Sequence, residues 1–301
     1  MKNAIIVGVV VVLIGVGVYF ITQKSSDDQN INTDVTNTDE TKTGEEQEVV
    51  VPEIKEQTVI GKSVNGNDLV LYHYGKGDKE ILFVGGIHGG YSWNTALVAF
   101  EMVDYLKANP EVIPANIAVT IIPVLNPDGL DKVTGSTDRF TKDDVSNSKT
   151  VQVSGRFNAN GVDLNRNFDC DWQTQGVWQS TTVSGGNAAF SEPESLALKN
   201  YIEAQNPVAV VVWYSAAGGV YASSCHDGIL PETLEITNVY AKASGYPAYP
   251  DFDFYKITGD LVNWLAKKEI PAISILLTNH EDVEWNKNKA GLEALLLYYS
   301  K

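Results

Sequence analysis

Short apolar segments alternate with amphipathic segments along most of this chain, and that order constrains the fold more than any other feature. Apolar runs of this length predict strands, and helical periodicity predicts helices. The predicted strands are residues 57–61, 68–72, 80–84, 117–124, 208–213 and 272–277. The predicted helices are residues 93–107, 191–204, 232–244, 258–267 and 285–299. Strands that alternate with helices predict an α/β fold, a mixed and mostly parallel twisted sheet with helices on both faces.

Turn signals separate some of these elements. Asn-Gly-Asn at residues 65–67 predicts a turn between the first two strands, and Asn-Pro-Asp-Gly at residues 126–129 predicts another after the fourth strand. Residues 130–160 are polar and irregular, which predicts a long surface loop. In an open α/β sheet, function is expected at the carboxyl ends of the strands.

The first residues of the chain differ in composition from the rest. Residues 4–21 form an uncharged run of 18 residues rich in Val and Ile, with Lys2 before it and Lys24 after it. That length is about enough to cross a bilayer. A cleaved signal peptide is the alternative, but no small-residue cleavage site follows the run. Residues 1–23 are therefore predicted to be a transmembrane signal anchor.

The next segment, residues 24–57, contains ten acidic residues, three lysines and no aromatic residue. Such a segment cannot bury enough apolar surface to fold, so it is predicted to be a disordered acidic linker, with an acidic interaction tail as the alternative. Residues 58–301 are long enough for one large domain with a buried core.

Charge and cysteine content restrict the partners and the environment. The formal charge of −16 argues against a nucleic-acid partner, because phosphate recognition needs a basic surface. The chain has two cysteines, Cys170 and Cys225. Outside a reducing compartment they could form one disulfide, and two unrelated buried thiols are the alternative.

Six sequence blocks follow the predicted strands or lie in the loops near them. They are residues 85–94, 126–129, 161–168, 213–221, 255–260 and 277–280. In order and spacing these blocks resemble those of the zinc carboxypeptidase family, the carboxypeptidase A-like metallopeptidases. The resemblance covers residues 58–301. It implies the zinc carboxypeptidase fold and, if the anchor is present, a domain outside the cytoplasm.

The resemblance also places the family's metal and base positions on this chain. In that family a histidine, a nearby glutamate and a second histidine bind zinc, and another glutamate is the general base. His88 matches the first ligand. The glutamate ligand falls on Tyr91 or, in the more similar spacing, on Ser92. The second histidine falls on Tyr214 and the base falls on Leu276.

These replacements remove the chemistry that the resemblance implies. Catalytic zinc usually needs three protein ligands, and a phenol with an ordinary pKa of about 10 ionises poorly at neutral pH. Leu276 cannot accept a proton, and loss of a general base alone typically lowers a rate by about 10²–10⁴-fold. No cofactor is therefore expected. Zinc is expected only in an alternative in which His280 or Tyr214 serves as an atypical ligand.

The substrate-binding positions of the family are better matched. Asn165 and Arg166 match the pair that holds the terminal carboxylate of a peptide, for which a guanidinium is well suited. Arg156 matches the arginine at the oxyanion position, and Tyr255 matches a mobile tyrosine that closes on the ligand.

Some of these residues have structural alternatives. Arg166 could form a structural ion pair with Asp163 or Asp169, and Tyr255 could pack in the core. His280 and the acids up to residue 284 could form a second metal site.

Together these positions predict a membrane-anchored, zinc-carboxypeptidase-like domain outside the cytoplasm that has lost catalysis. Its expected partners are the membrane, through residues 4–21, and peptides or peptidoglycan stem peptides bound through their C-terminal carboxylate. An active zinc-dependent carboxypeptidase with an atypical ligand set is one alternative. A structural or partner-docking ectodomain is the other.

Overall fold

A computed structural model describes residues 56–301 of the protein. The strands in this range are β1 (Gln57–Lys62), β2 (Asp68–Gly75), β3 (Lys79–Val84), β4 (Ile117–Ile122), β5 (Gln175–Trp178), β6 (Thr181–Ser184), β7 (Ala209–Ser215), β8 (Gly219–Ala222), β9 (Ala248–Tyr249) and β10 (Ala272–Leu277). The α-helices are α1 (Trp93–Ala108), α2 (Pro127–Thr134), α3 (Lys149–Ser154), α4 (Pro193–Gln205), α5 (Pro231–Ser244), α6 (Leu261–Lys267) and α7 (Trp285–Tyr299). Every strand and helix predicted from the sequence is present, with small shifts at the ends.

Eight of these strands form one sheet in the order β1-β2-β4-β3-β7-β10-β8-β9. The central strands β4, β3, β7 and β10 are parallel to one another. β1, β2 and β8 pair antiparallel with their neighbours nearer the centre, and β5 and β6 form a separate hairpin. The predicted mixed sheet with a parallel centre is confirmed.

Side chains of the central strands alternate between two hydrophobic cores. On β7, Val211 and Trp213 belong to one core, which also contains residues of α1, α5 and α7. Val210 and Tyr214 belong to the other core, which contains residues of α4 and α6. Because successive side chains of a strand point to opposite faces, helices on both sides bury the strand completely. This burial explains the unbroken apolar runs in the sequence, and the predicted helices on both faces are confirmed.

The interpretation of residues 126–160 needs correction. Asn126 begins a helix rather than a simple turn, since its side-chain Oδ1 accepts a hydrogen bond of 2.8 Å from the Gly129 N–H and Pro127 takes the first helical position. A turn and a capped helix start favour the same residues, so the sequence did not separate them. The predicted irregular loop is also wrong in part, because it contains most of α2 and all of α3.

Other differences are local. The hairpin of β5 and β6 and the short strands β8 and β9 were not predicted, because they are only two to four residues long. α4 begins at Pro193, two residues after the predicted start of this helix at residue 191, and Glu192 precedes its first turn. Cys170 and Cys225, whose pairing the sequence left open, form a disulfide.

The predicted transmembrane segment lies outside the described residues, as does the predicted linker apart from its last two positions. Within residues 56–301, none of the helices combines the length and the apolar character that crossing a bilayer requires.

Candidate functional site

A cleft of about 1130 Å³ opens at the carboxyl ends of β3, β7 and β10, where function was expected. The residues that line it include most of the predicted site residues: His88, Arg156, Asn165, Arg166, Tyr214, Tyr255 and Leu276. Ser92 does not line the cleft. The chain therefore brings together positions that are up to 188 residues apart in sequence.

His88 follows β3 in a loop whose backbone requires glycine at the next position. Gly89 has a φ of +43°, and a Cβ there would lie 2.9 Å from the Cα of Gly129. His88 is buried, and its Nε2 lies 3.5 Å from Asp163 Oδ1, too far for a hydrogen bond of ordinary strength. Burial and the Arg156 charge lower the pKa of His88 to about 4, against the opposing effect of Asp163. The imidazole is therefore neutral at pH 7.

The other metal and base positions lie near His88. The Tyr214 ring is 5.7 Å from the His88 ring, and its hydroxyl donates a hydrogen bond of 3.2 Å to Asn165 Oδ1. Burial raises the pKa of Tyr214 well above its ordinary value, so the phenol stays neutral. Leu276 is the partner of Tyr214 in the register of β7 and β10. Ser92 is buried, and its hydroxyl has no hydrogen-bond partner among the described residues.

Arg156 is held on two sides. Its Nε and Nη2 donate hydrogen bonds of 2.9 and 2.8 Å to Asp163 Oδ2. Its guanidinium carbon lies 4.4 Å from the centre of the Trp178 ring and 5.6 Å from that of Tyr91. Burial alone would raise the pKa of Asp163, but Arg156 holds it well below its ordinary value. The charge at the predicted oxyanion position is thus already paired with a carboxylate.

Arg166 is as deeply buried as Arg156 but has different partners. Its Nη1 donates a hydrogen bond of 2.6 Å to the Asn165 carbonyl, and its Nε and Nη2 donate to the Val177 carbonyl at 3.2 and 2.7 Å. Within residues 56–301, no carboxylate lies within 4.0 Å of its guanidinium nitrogens. The side chain keeps N–H groups that these bonds do not use. Arg166 is therefore a buried cation that lines the cleft and has no anionic partner among the described residues.

The proposed structural ion pair of Arg166 is wrong for both carboxylates that were considered. Asp163 pairs with Arg156, and Asp169 pairs with Lys267 at 2.8 Å. Each of these acids already has its own cation.

Asn165 and Tyr255 flank Arg166. The Oδ1 of Asn165 accepts hydrogen bonds from Tyr214 and from the Leu261 N–H, each of 3.2 Å, which fix the carboxamide. Tyr255 is only half-buried, and its ring centre lies 6.0 Å from the Arg166 guanidinium carbon. This placement on the cleft wall differs from the core packing that was the alternative for Tyr255.

Among the cleft residues without a predicted role are Trp178 and Asp260. Trp178 comes from the unpredicted hairpin, and its position over Arg156 carries no local signal. Asp260 lies in one of the six sequence blocks, but no function was predicted for it. It is 5% exposed, and its Oδ1 has no hydrogen-bond partner among the described residues. Burial raises the pKa of Asp260 to about 6, although the Arg166 charge opposes the rise. A buried acid in a cleft is a signal of function, but burial is not visible in the sequence.

The sequence profile of the family described as zinc carboxypeptidase matches residues 46–258. The chain belongs to the zinc carboxypeptidase family. This match confirms the resemblance found in the sequence blocks. The roles of the individual site residues stay predictions.

Several proteins of known name are similar to this chain in sequence. Gamma-D-glutamyl-L-diamino acid endopeptidase 1 of Lysinibacillus sphaericus is 26% identical over 208 residues, which are 63% of this chain and 52% of that protein. The human carboxypeptidase N catalytic chain is 26% identical over 182 residues, which are 56% of this chain and 37% of that protein. The match thus spans about half or less of these relatives.

Solved structures share the zinc carboxypeptidase fold. The murein-tripeptide amidase MpaA of Escherichia coli O157 gives a TM-score of 0.58 at 20% identity, with 81% of this chain and 92% of that chain covered. Bovine thrombin-activatable fibrinolysis inhibitor gives a TM-score of 0.62 at 18% identity, with 81% and 88% covered. At these identities the likeness establishes the fold alone.

The zinc implied by the zinc carboxypeptidase family does not fit the residues near His88. Zinc sites use thiolate, imidazole and carboxylate ligands. The neutral His88 imidazole suits a metal, but Ser92 and the neutral Tyr214 phenol do not complete a set. In the described part of the chain, the one group of three such side chains with mutually close ligand atoms is Cys170, Cys225 and His226. Its two sulfurs are bonded to each other, so they are not thiolates.

Proposed function

We propose that this member of the zinc carboxypeptidase family is a non-catalytic binding domain that holds peptides or peptidoglycan stem peptides by their C-terminal carboxylate. The observation that carries the proposal is Arg166, a buried guanidinium in the cleft with no carboxylate within 4.0 Å among residues 56–301. An unpaired buried charge costs several kcal/mol in real proteins. A ligand carboxylate would offset that cost and accept the N–H groups that the backbone carbonyls leave free.

The surroundings of Arg166 support a carboxylate ligand. The Asn165 carboxamide is fixed through its oxygen by Tyr214 and Leu261, and an amide of this kind presents N–H donors. Tyr255 lies on the cleft wall beside Arg166. Arg156 attracts a ligand carboxylate less strongly, because Asp163 already neutralises the Arg156 charge. Arg166 and Asn165 are thus the main anchors.

The absence of catalysis is proposed from the residue types at the reacting positions. Ser92 and the neutral Tyr214 cannot complete a zinc site with His88, and Leu276 cannot act as a base. Relatives named as endopeptidase, carboxypeptidase and amidase favour an active metalloenzyme as the second candidate. The two candidates differ in metal content, which can be measured directly.

The carboxylate proposal is tested by calorimetry with one peptide as its free acid and as its C-terminal amide. Hydrogen bonds to charged groups are worth about 1.5–3 kcal/mol, so the free acid should bind roughly 10- to 100-fold more tightly. Arg166→Gln should abolish this preference. Lys267→Gln, which removes a surface cation, should leave it intact. Equal binding of acid and amide by the wild-type protein would refute the carboxylate claim.

Metal content is measured by elemental analysis of the protein after exposure to zinc and extensive dialysis. We expect less than stoichiometric zinc and no release of C-terminal residues. Ser92→Glu, Tyr214→His and Leu276→Glu combined should raise zinc retention, since they restore the ligand types of the family. One tightly bound zinc per wild-type molecule, together with turnover, would establish the active enzyme instead.

We also propose that residues 1–23 anchor the domain in a membrane and that residues 24–57 hold it away from the surface, outside the cytoplasm. The uncharged run of residues 4–21 supports this proposal. The full chain should stay in the membrane fraction after alkaline extraction, whereas a chain that starts at residue 24 should be released. Protease added to intact cells should digest the domain. Full protection would place the domain on the cytoplasmic side of the membrane.

A further inference from the structure

Two loops meet at the rim of the cleft, and each carries a cysteine followed by a polar residue. Cys170 precedes Asp171 in the first loop, and Cys225 precedes His226 in the loop after β8. The disulfide joins the two loops, and all four residues line the cleft. These four residues are called the rim cluster. The proposed function gives none of them a role.

The sulfur and nitrogen atoms of the rim cluster lie close together. The two sulfurs and one ring nitrogen of His226 are all within 4.8 Å of one another. Neighbouring ligand atoms around a tetrahedral zinc ion are about 3.5–3.8 Å apart, as its bond lengths require. Once the sulfurs are no longer bonded to each other, rotation of the two side chains separates them toward that distance. Two thiolates and one imidazole then match a known zinc ligand set, which leaves the fourth position to water.

Asp171 supports His226 as a metal ligand. The Asp171 Oδ1 and the His226 Nε2 lie 2.8 Å apart, which is a hydrogen-bond distance. Histidines that bind a metal usually donate their other ring N–H to a carboxylate or a carbonyl, which orients the ring and raises its basicity. Both side chains are more than half exposed, so the pair contributes little to stability as an ion pair alone. The same exposure gives an ion in solution access to the imidazole.

Backbone hydrogen bonds hold the two loops independently of the disulfide. The Cys170 carbonyl accepts a hydrogen bond of 2.7 Å from the Gly259 N–H, and the Cys225 carbonyl accepts one of 2.8 Å from the Gly228 N–H. Gly228 has a φ of +85°, so residues 225–228 form a tight turn that glycine closes without strain. These bonds keep both cysteines at the rim when the disulfide is reduced.

We infer that Cys170, Cys225 and His226 form a metal site when the disulfide is reduced, and that the site takes a divalent ion that prefers sulfur and nitrogen ligands, such as zinc. A dithiol reductant supplies two electrons and two protons, so two thiols replace the S–S bond and the reductant becomes a disulfide. The ion then displaces the two thiol protons, and two thiolates balance its charge. The ion links the same two loops in place of the covalent bond.

This site is separate from the zinc position of the family near His88. It also uses neither Arg166 nor Asn165, so the inference does not depend on the proposed function. Loss of the acid-over-amide preference would refute the carboxylate proposal and leave the rim cluster unaffected.

The test compares the oxidised and the reduced full-length protein, with cobalt(II) as a probe for zinc. A phosphine reduces the disulfide, becomes a phosphine oxide with oxygen from water, and is removed by desalting without air before cobalt is added. The reduced protein should bind one cobalt ion per molecule, with a sulfur-to-cobalt charge-transfer band in the near ultraviolet and the strong visible bands of tetrahedral cobalt. Zinc should remove these bands, and the oxidised protein should not show them. Reduced protein without the charge-transfer band, or equal spectra in the two states, would overturn the inference.

Variants assign the ion to the rim cluster. Asp171→Asn should weaken cobalt binding by about 10- to 100-fold while the charge-transfer band remains, because Asp171 acts through the imidazole. Asp251→Asn removes an equal charge from an exposed position of the same cleft and should change the affinity less than about threefold, because exposed charges are screened. An equal loss in both variants would show a diffuse charge effect and would contradict the role of Asp171 as partner of a metal ligand.

Two histidine variants separate the rim cluster from the family's zinc position. His226→Gln should lose the tetrahedral spectrum, whereas His88→Gln should keep both the spectrum and the affinity. Cobalt that is lost in His88→Gln and kept in His226→Gln would place the ion at the family's position and overturn the inference.

Thermal unfolding gives a second measurement that does not use cobalt. The Tm of the reduced protein should rise by about 5–10 °C at a zinc concentration about 100 times the Kd, because the ion binds the folded state. Cys170→Ser and Cys225→Ser combined should abolish this rise. An equal rise in the double variant would show that zinc binds elsewhere. The comparison of oxidised and reduced wild-type protein decides the inference even if a variant fails to fold.

Discussion

The polar residues around Asp128 and those in the cleft are both buried, yet only the first group is saturated with hydrogen bonds. Asp128 is contacted by three donors from the turn between β1 and β2. In the cleft, both His88 nitrogens and Asp260 Oδ1 lack hydrogen-bond partners within the described range, and Arg166 lacks an anion. Polar burial that is satisfied stabilises a fold, whereas unsatisfied polar burial is characteristic of a site that awaits a ligand.

The largest effect that tests this contrast is expected at Asp128. Asp128→Ala would leave the Ser63 hydroxyl, the Asn65 N–H and the Asn67 carboxamide without their acceptor. Unsatisfied buried groups cost about 1–3 kcal/mol each, so the free energy of unfolding should fall by about 3 kcal/mol or more. Urea denaturation measures the change.

Asp131→Ala is the matched control, since this acid lies on the same helix and is exposed. Its effect should stay within about 0.5 kcal/mol. Equal effects of the two variants would show that hydrogen bonding at Asp128 does not stabilise the fold.

Asp260→Asn should raise the free energy of unfolding, whereas Asp128→Ala should lower it. The folded-state pKa of Asp260 is raised from 3.8 to about 6, so ionisation costs the folded state more than the unfolded state. That cost is absent below about pH 4, grows as the pH rises toward 6, and then stays constant at about 2–3 kcal/mol. The variant should therefore be more stable than the wild-type protein at pH 7 and about equally stable at pH 4.

The comparison is made by urea denaturation at a series of pH values. His88, whose pKa is lowered to about 4, titrates in the same range but is present in both proteins, so its contribution cancels. Lower stability of Asp260→Asn at pH 7 would mean that the carboxylate has a stabilising partner in the protein. The contrast with Asp128 would then disappear.

The smallest effect is expected at the surface pair of Lys267 and Asp169. Both side chains are nearly half exposed, and exposed ion pairs contribute about 0.2–1 kcal/mol or nothing. Lys267→Gln should lower the free energy of unfolding by less than about 1 kcal/mol, and by less still in high salt. A larger loss, measured in the same denaturation series, would indicate that Asp169 has a second role near Arg166.

The sequence was sufficient for the fold because its main signals are local. Runs such as residues 208–213 are short, apolar throughout and rich in valine, which favours a strand buried on both faces over a helix. The grouping of His88, Arg166 and Tyr214 in one cleft was also predictable, because their blocks follow neighbouring strands or match the family. The resemblance supplied the roles, and spacing alone did not.

The rest depends on contacts between distant parts of the chain. The isolation of Asp260 is a statement about every group around it, and the position of Trp178 over Arg156 depends on a hairpin of two four-residue strands. The start of α2 was misjudged because Asn-Pro-Asp-Gly suits a turn and a helix cap equally well. Burial and pairing of polar groups are properties of the folded state, so a single sequence does not display them.

The disulfide has a practical consequence for every measurement on this protein. Cys170 and Cys225 both line the cleft, and Cys170 accepts the backbone bond that positions Gly259 next to Asp260. Protein produced in a reducing host, or stored with dithiothreitol, would lose the covalent tie between two walls of the cleft. Affinities from such samples would describe a looser cavity, so a free-thiol assay belongs at the start of any ligand screen.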